Sequence, residues 1–156
     1  AAAFHETGNE SVPACYRPKY IPEVNDETFM RHIPFDELED IVGLYMQHKL
    51  GWVIIPSTCK RGTASTEFEA CKVVKGIAKK AHVQVKSRNT QLENQLDAPP
   101  GVDEFFLFQA ADEIDIAKFS GERMRPISRK DIWRWVHENL PLVPHATRRL
   151  VTLAAK

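Results

Sequence analysis

The sequence holds few of the features that assign a chain to a class at sight. Its uninterrupted apolar stretches, such as Trp52-Val53-Ile54-Ile55, are only a few residues long, far below the roughly 20 needed to cross a bilayer as a helix. Cysteine is scarce and odd in number: Cys15, Cys59 and Cys71 are widely spaced and form no CxxC pair, so neither a disulfide framework nor a zinc site is expected, and a reducing compartment suits the chain. The six histidines, His5, His32, His48, His82, His137 and His145, are dispersed with no i, i+4 pair, which leaves no converging metal ligands. Neither the GxxxxGK[ST] nor the GxGxxG spacing occurs. From these absences no catalytic residues, no metal and no cofactor are expected, and no family is recognised from a motif.

Net charge is also lacking, with 21 Lys and Arg against 21 Asp and Glu, and a dedicated nucleic-acid binder would usually carry a basic excess. The zero conceals blocks. Residues 1–59 hold four basic and nine acidic side chains, 60–88 eight and two, 89–122 one and eight, and 123–156 eight and two. Such blocks either neutralise one another across a folded surface or turn one basic face to an acidic partner.

The 156 residues, 43% hydrophobic and 27% charged, suffice for one core of ordinary composition. Residues 1–34 carry Pro13, Pro18, Pro22 and Pro34 and show no helical or strand period, so they read as an extended arm ahead of a single domain at 35–156. Tyr16, Tyr20, Ile21 and Phe29 are its apolar anchors and, with Trp133 and Trp135, the expected partner-binding residues. The spacing of Leu38, Ile41, Val42, Tyr45 and Met46 predicts a helix over 36–50 stopped by Gly51. Trp52–Ile55 reads as a buried strand. Ala70, Val73, Val74, Ile77 and Ala81 predict a second helix from a Thr66/Glu69 capping box, with Lys72, Lys75 and Lys79 on its solvent side.

Val83 and Val85 alternate with polar residues as in a strand, 88–103 reads as a long loop, and Phe105–Phe108 as a further strand. Ile114 and Ile116, alternating with acids, suggest an edge strand in which Asp112–Asp115 block unwanted pairing or serve as paired carboxylates. Ser128 and Asp131 open a helix that runs to Pro141, and a last helix starts at Pro144. The expected fold is α+β, a small mixed sheet of about 3–5 strands with helices packed on it. Were Phe29–Ile33 a strand as well, the order would suit a thioredoxin-like arrangement.

The loop of 57–66 offers the ingredients of an anion site at a helix start: Lys60, Arg61, Gly62, Thr63, Ser65 and Thr66, with Cys59 beside them. The bland alternative is a polar loop that caps its helix. Together these features suggest a non-catalytic accessory subunit of a large multiprotein assembly, gripping other protein subunits through the arm and the 88–103 loop. A mitochondrial respiratory-chain or ATP synthase complex is the expected setting, because zero net charge suits protein neighbours and the chain opens Ala1-Ala2-Ala3 as after loss of a targeting peptide. Two alternatives stand beside it: a phosphate- or nucleotide-binding domain using 57–66, and an RNA-binding or mitochondrial ribosomal protein using the basic blocks 60–88 and 123–149.

Overall fold

Phe35–Leu50 (α1) is helical because its apolar residues recur at three- and four-residue spacing, and Leu38, Ile41, Val42, Tyr45 and Met46 are all buried. In the computed structural model, which describes residues 27–55 and 68–154, this helix ends as its sequence suggests. Gly51 adopts a φ of 74°, a left-handed conformation that glycine enters without steric cost. The next N–H, of Trp52, donates to Met46 O (3.1 Å), and the chain turns directly into strand β1, Val53–Ile55, which is not the buried strand expected: Val53 is exposed and Ile54 and Ile55 are half-buried, because β1 stands at one end of the described sheet.

The helix expected from Thr66 to Ala81 is absent where the chain is described. Phe68–Val74 (β2) and Ile77–Lys86 (β3) are antiparallel strands in register from Phe68↔Val83 to Val74↔Ile77. The reason lies in the two residues between them. Lys75 and Gly76 have φ of 50° and 77°, the pair of positive angles that a two-residue hairpin turn requires. The β-branched Val73, Val74 and Ile77 favour strand over helix. Their three- and four-residue spacing imitated a helix stripe only because the tip of the hairpin is uncovered: Val73 and Ile77 are 71% and 68% exposed.

Strands β4 (Glu104–Gln109) and β5 (Met124–Pro126) complete a five-stranded mixed sheet among the described residues, in the order β1-β2-β3-β4-β5. The first three strands form an antiparallel meander; β4 runs parallel to β3, and β5 parallel to β4. The fold is α+β. The condition for a thioredoxin-like order is not met, because Glu27–His32 is a 3-10 helix, not a strand. Nor are Ile114 and Ile116 in a strand; Ile114 is buried below the sheet, Ile116 is exposed, and the edge is β5.

Alternation along the strands gives the sheet two different faces. Phe68, Ala70, Ala81, Val83, Val85, Phe106 and Phe108 point to one side, where they pack with α1 and with Ile132, Trp133, Trp135 and Val136 of helix α2, Arg129–Glu138. Helix α3, His145–Ala154, adds Val151. The described end of the arm belongs to this core as well, since Phe29, Met30 and Ile33 are fully buried in it. On the other face Phe105 and Leu107 meet Leu92, Ile114, Phe119 and Met124. These come from the two crossovers, 87–103 and 110–123, that parallel pairing of β3, β4 and β5 makes necessary.

Candidate functional site

The crossovers cover only the β4–β5 half of that second face. Residues of β1, β2 and the first part of β3 that point the same way, Val53, Val73, Ala78 and Lys80, are exposed. The boundary between the covered and the bare half runs along the later part of β3, where His82, Gln84 and Lys86 follow one another at the two-residue period of a strand. Their alternating neighbours Ala81, Val83 and Val85 are buried against the helices. Gln84 is 1% exposed, whereas His82 and Lys86 are half-buried.

Strand β2 brings a carboxylate to the same place. Glu69 pairs with His82 across the ladder, and Glu69 Oε1 lies 3.0 Å from His82 Nε2 while its Oε2 lies 3.6 Å from Lys80 Nζ. Gln84 is the diagonal neighbour of Glu69, about 7–8 Å away between Cα atoms by ladder geometry. Lys86, paired with Gln109 of β4, lies one further period along. Its position is held from the β4 side: Ala110 N–H donates to Lys86 O (2.9 Å). Gln109 in turn accepts from Leu92 N–H (3.1 Å) and donates to Asp112 O (3.4 Å), tying both crossovers to the strand beside Lys86.

A carboxylate, an imidazole, a primary amide and an ammonium thus share one sheet face. The set can do two things chemically. Lys86, Lys80 and His82 can meet phosphate oxygens, and Glu69 can take a hard cation, which needs only one or two carboxylates when phosphate supplies further oxygens. Lys80, half of whose side chain is exposed, would have to give way to a cation at Glu69, and an ion pair of that kind is worth less than about 1 kcal/mol. Among the described residues no group of three or more His, Cys, Asp or Glu is placed to hold a metal ion by itself.

The sequence-predicted residues fall elsewhere. Lys60, Arg61, Gly62, Thr63, Ser65 and Thr66, together with Tyr16, Tyr20, Ile21 and Cys59, lie outside the described residues. Phe29 is 1% exposed and meets the ring of Trp133 at 5.2 Å. Trp133 and Trp135 are both core: Trp135 Nε1–H donates to His48 Nδ1 (3.0 Å), and its ring stands edge-on to Tyr45. Neither offers a free ring to a partner. Lys72, Lys75 and Lys79 stand on the β2–β3 hairpin and not on a helix.

The acids of 112–115 have structural work. Asp112 lies 3.5 Å from Arg31, Glu113 Oε1 accepts the first N–H of α2 at Arg129 (2.9 Å), and Asp115 accepts from Ala117 N–H. The 88–103 loop lies against its own domain through Leu92, Leu96 and Ala98.

An open groove of about 530 Å³ on the helical side is lined by Glu39, Gly43, Leu44, Gln47, Ile54, Phe68 and Pro144, but it gathers no comparable set of chemically distinct groups. No helix among the described residues is long and apolar enough to cross a membrane. Comparison of the chain with protein-family models, with curated proteins and with solved structures finds no match.

Proposed function

We propose that this chain acts on nucleic acid, holding a phosphodiester on the bare half of the sheet and hydrolysing it with the help of a divalent cation. The observation that carries the reading is the convergence of Glu69, His82, Gln84 and Lys86 on one face, at the step where the crossovers stop covering the sheet. The Lys86 ammonium stabilises the charge that builds on the phosphoryl oxygens, as a positioned cation does most effectively beside excluded water. Glu69 would hold the divalent ion together with phosphate oxygens, and the ion, when bound, would supply an activated water and polarise the phosphate. Water adds to phosphorus, one P–O bond breaks, and the products are a phosphomonoester and an alcohol. His82, whose Nε2 lies 3.0 Å from Glu69 Oε1, is placed to take the proton that water loses.

The test is incubation of the full chain with linear duplex and single-stranded DNA and RNA in Mg²⁺ or Mn²⁺, with EDTA as control. Cleavage is expected to disappear in EDTA and to fall at least a hundredfold in Lys86→Ala and in Glu69→Gln, at unchanged circular dichroism. No cleavage by the native chain, or full activity in Lys86→Ala, sinks the reading.

A second reading, the non-catalytic accessory subunit of a mitochondrial membrane complex, draws on a different observation: Val53 and Val73 on the bare face and Ile77 on the opposite face of the hairpin are 60%, 71% and 68% exposed, and exposed apolar side chains gathered at one end of a sheet suit a protein contact. Native cross-linking that joined these three positions to a co-purifying subunit would favour it. A chain that stayed monomeric in native extracts would count against it.

A further inference from the structure

The β2–β3 hairpin outruns the sheet. On the β2 side the last pair with β1 is Cys71↔Val53, and on the β3 side the first pair with β4 is Ala81↔Glu104. Between them Lys72–Lys79 is a two-stranded ribbon with no neighbouring strand on either edge among the described residues. It projects by four residues, about 13 Å at roughly 3.3 Å per residue. Its base is fastened: Lys72 Nζ donates to Leu50 O (2.8 Å), and Lys80 exchanges hydrogen bonds with Asp103, N–H to Oδ2 at 2.8 Å and O from N–H at 2.9 Å.

The composition of the ribbon is one-sided. From Ala70 to Ala81 there is no Asp or Glu and there are four lysines. Among the described residues neither Lys75 nor Lys79 has an ion-pair partner, and both are exposed. Lys75 also stands at φ 50°, a turn position that glycine, asparagine and aspartate occupy more cheaply.

We infer that this ribbon docks in the major groove of double-stranded DNA, with Lys75 and Lys79 against the flanking phosphates and Val73, which shares the face of the candidate site, toward the groove floor. The inference deepens the phosphodiester reading given above and rests on it for the placement of the duplex. The B-form major groove is about 12 Å wide and 8.5 Å deep and admits a two-stranded ribbon. The same two strands carry the candidate site. From Gly76 to Gln84 is eight residues, about 27 Å along β3, which equals about 8 base pairs at 3.4 Å each. A duplex laid along the strands therefore touches the ribbon and the site together only when it is longer than that.

The experiment is fluorescence anisotropy of the full chain in EDTA with labelled DNA hairpin duplexes of 6 and 14 base pairs, a 14-base-pair RNA duplex and poly-glutamate, over a series of salt concentrations. The native chain is expected to hold the longer DNA more tightly than the shorter one and than the RNA. Lys75→Asn/Lys79→Ala should lose on the order of tenfold in affinity for the long duplex, with a salt slope smaller by about 1.8, two contacts at about 0.9 each. Lys75→Asn alone should raise the urea midpoint, because asparagine suits a positive φ, while weakening DNA binding; opposite signs rule out misfolding as the cause.

Unchanged affinity and slope in the double variant overturn the inference. So does equal or tighter binding of the RNA duplex or of poly-glutamate, or no binding of DNA at low salt. Duplex binding that depends on the ribbon in a chain that cleaves nothing in Mg²⁺ or Mn²⁺ upholds the ribbon and refutes the hydrolytic reading.

Discussion

Replacing Arg129 by Met is expected to destabilise the chain by about 2–3 kcal/mol, a value worked from what the guanidinium holds. Arg129 is 6% exposed, and its Nη1 donates to Ala110 O (3.0 Å) and Ala111 O (3.2 Å), just beyond the end of β4. Two hydrogen bonds from a charged donor are worth about 1.5–3 kcal/mol each. Against that, Arg129 Nε is buried without a hydrogen-bond partner among the described residues, and removing it returns about 1–3 kcal/mol. Ala111 O keeps a donor, Arg31 Nε at 2.8 Å, so only Ala110 O is stranded. Methionine fills the space of the aliphatic stem, which keeps a cavity penalty out of the difference.

Urea unfolding of the full chain measures the loss, and Arg31→Met/Arg129→Met should exceed the sum of the single changes by about 1 kcal/mol, because Ala111 O then loses both donors. The consequence extends to the candidate site: Ala110 N–H bonds Lys86 O, so amide exchange at Ala110 should speed up in Arg129→Met before global unfolding. A change within about 0.5 kcal/mol of the native chain, or strictly additive behaviour, refutes this account of how the end of β4 is held.

Other expectations follow from single contacts. Glu37 Oε1 of α1 accepts both Thr147 N–H (2.8 Å) and Thr147 Oγ1–H (2.7 Å) in the first turn of α3, so Glu37→Ala should cost about 1–2 kcal/mol in urea and fray α3 first by hydrogen exchange. Gly51→Ala forces a Cβ into a φ of 74° and should lower stability by about 1 kcal/mol, read as a fall in melting temperature with no change in the folded spectrum. His137, whose ring stands edge-on to Trp133 at 4.4 Å on an otherwise exposed side chain, has its pKa lowered below 6.5 by the partial desolvation of that ring. The fold therefore favours the neutral ring, its contribution is complete above pH 6.5, and it declines as pH falls through the lowered folded value. The urea midpoint should drop between pH 7.5 and pH 5 in the native chain and drop less in His137→Gln; equal pH slopes refute it. Tyr45 is raised above 10 chiefly by burial and secondarily by Asp131, so its phenolate absorbance should appear later in an alkaline titration than that of a free tyrosine.

The parts of the fold legible in the sequence are those where local chemistry and tertiary packing demand the same residues. Helix α1 with its Gly51 stop and the helix opening at Ser128 each had both a periodic pattern and a boundary residue, while the short strand after α1 and the 88–103 loop were legible as elements from composition alone, the strand without its true exposure. Even there the boundary chemistry differed: Ser128 makes no side-chain cap, and Glu113 from a distant crossover takes that role for α2. The fifth strand was not legible because Met-Arg-Pro is too short and too polar to show a period; it is a strand only because it pairs with Phe105–Leu107. The 27–33 segment looked like arm because Pro34 and the residues ahead of it carry no repeat. Its burial is a tertiary fact with no local signature.

The misread segment and the candidate site are the same stretch of chain, and one physical cause accounts for both. A strand whose two faces are buried in different ways shows no clean alternation, and β3 is buried on its helical side along Ala81, Val83 and Val85 while its other side passes from exposed Lys80 to buried Gln84. Hydrophobicity alone therefore finds only the Val83–Val85 fragment. The polar residues that interrupt it, His82, Gln84 and Lys86, are a strand period of their own, and reading them as a second, superimposed pattern is what recovers the site. Glu69 was taken for the third-position partner of a capping box because Thr66 stands three residues earlier, but its carboxylate faces His82 across a ladder that sequence spacing cannot reveal.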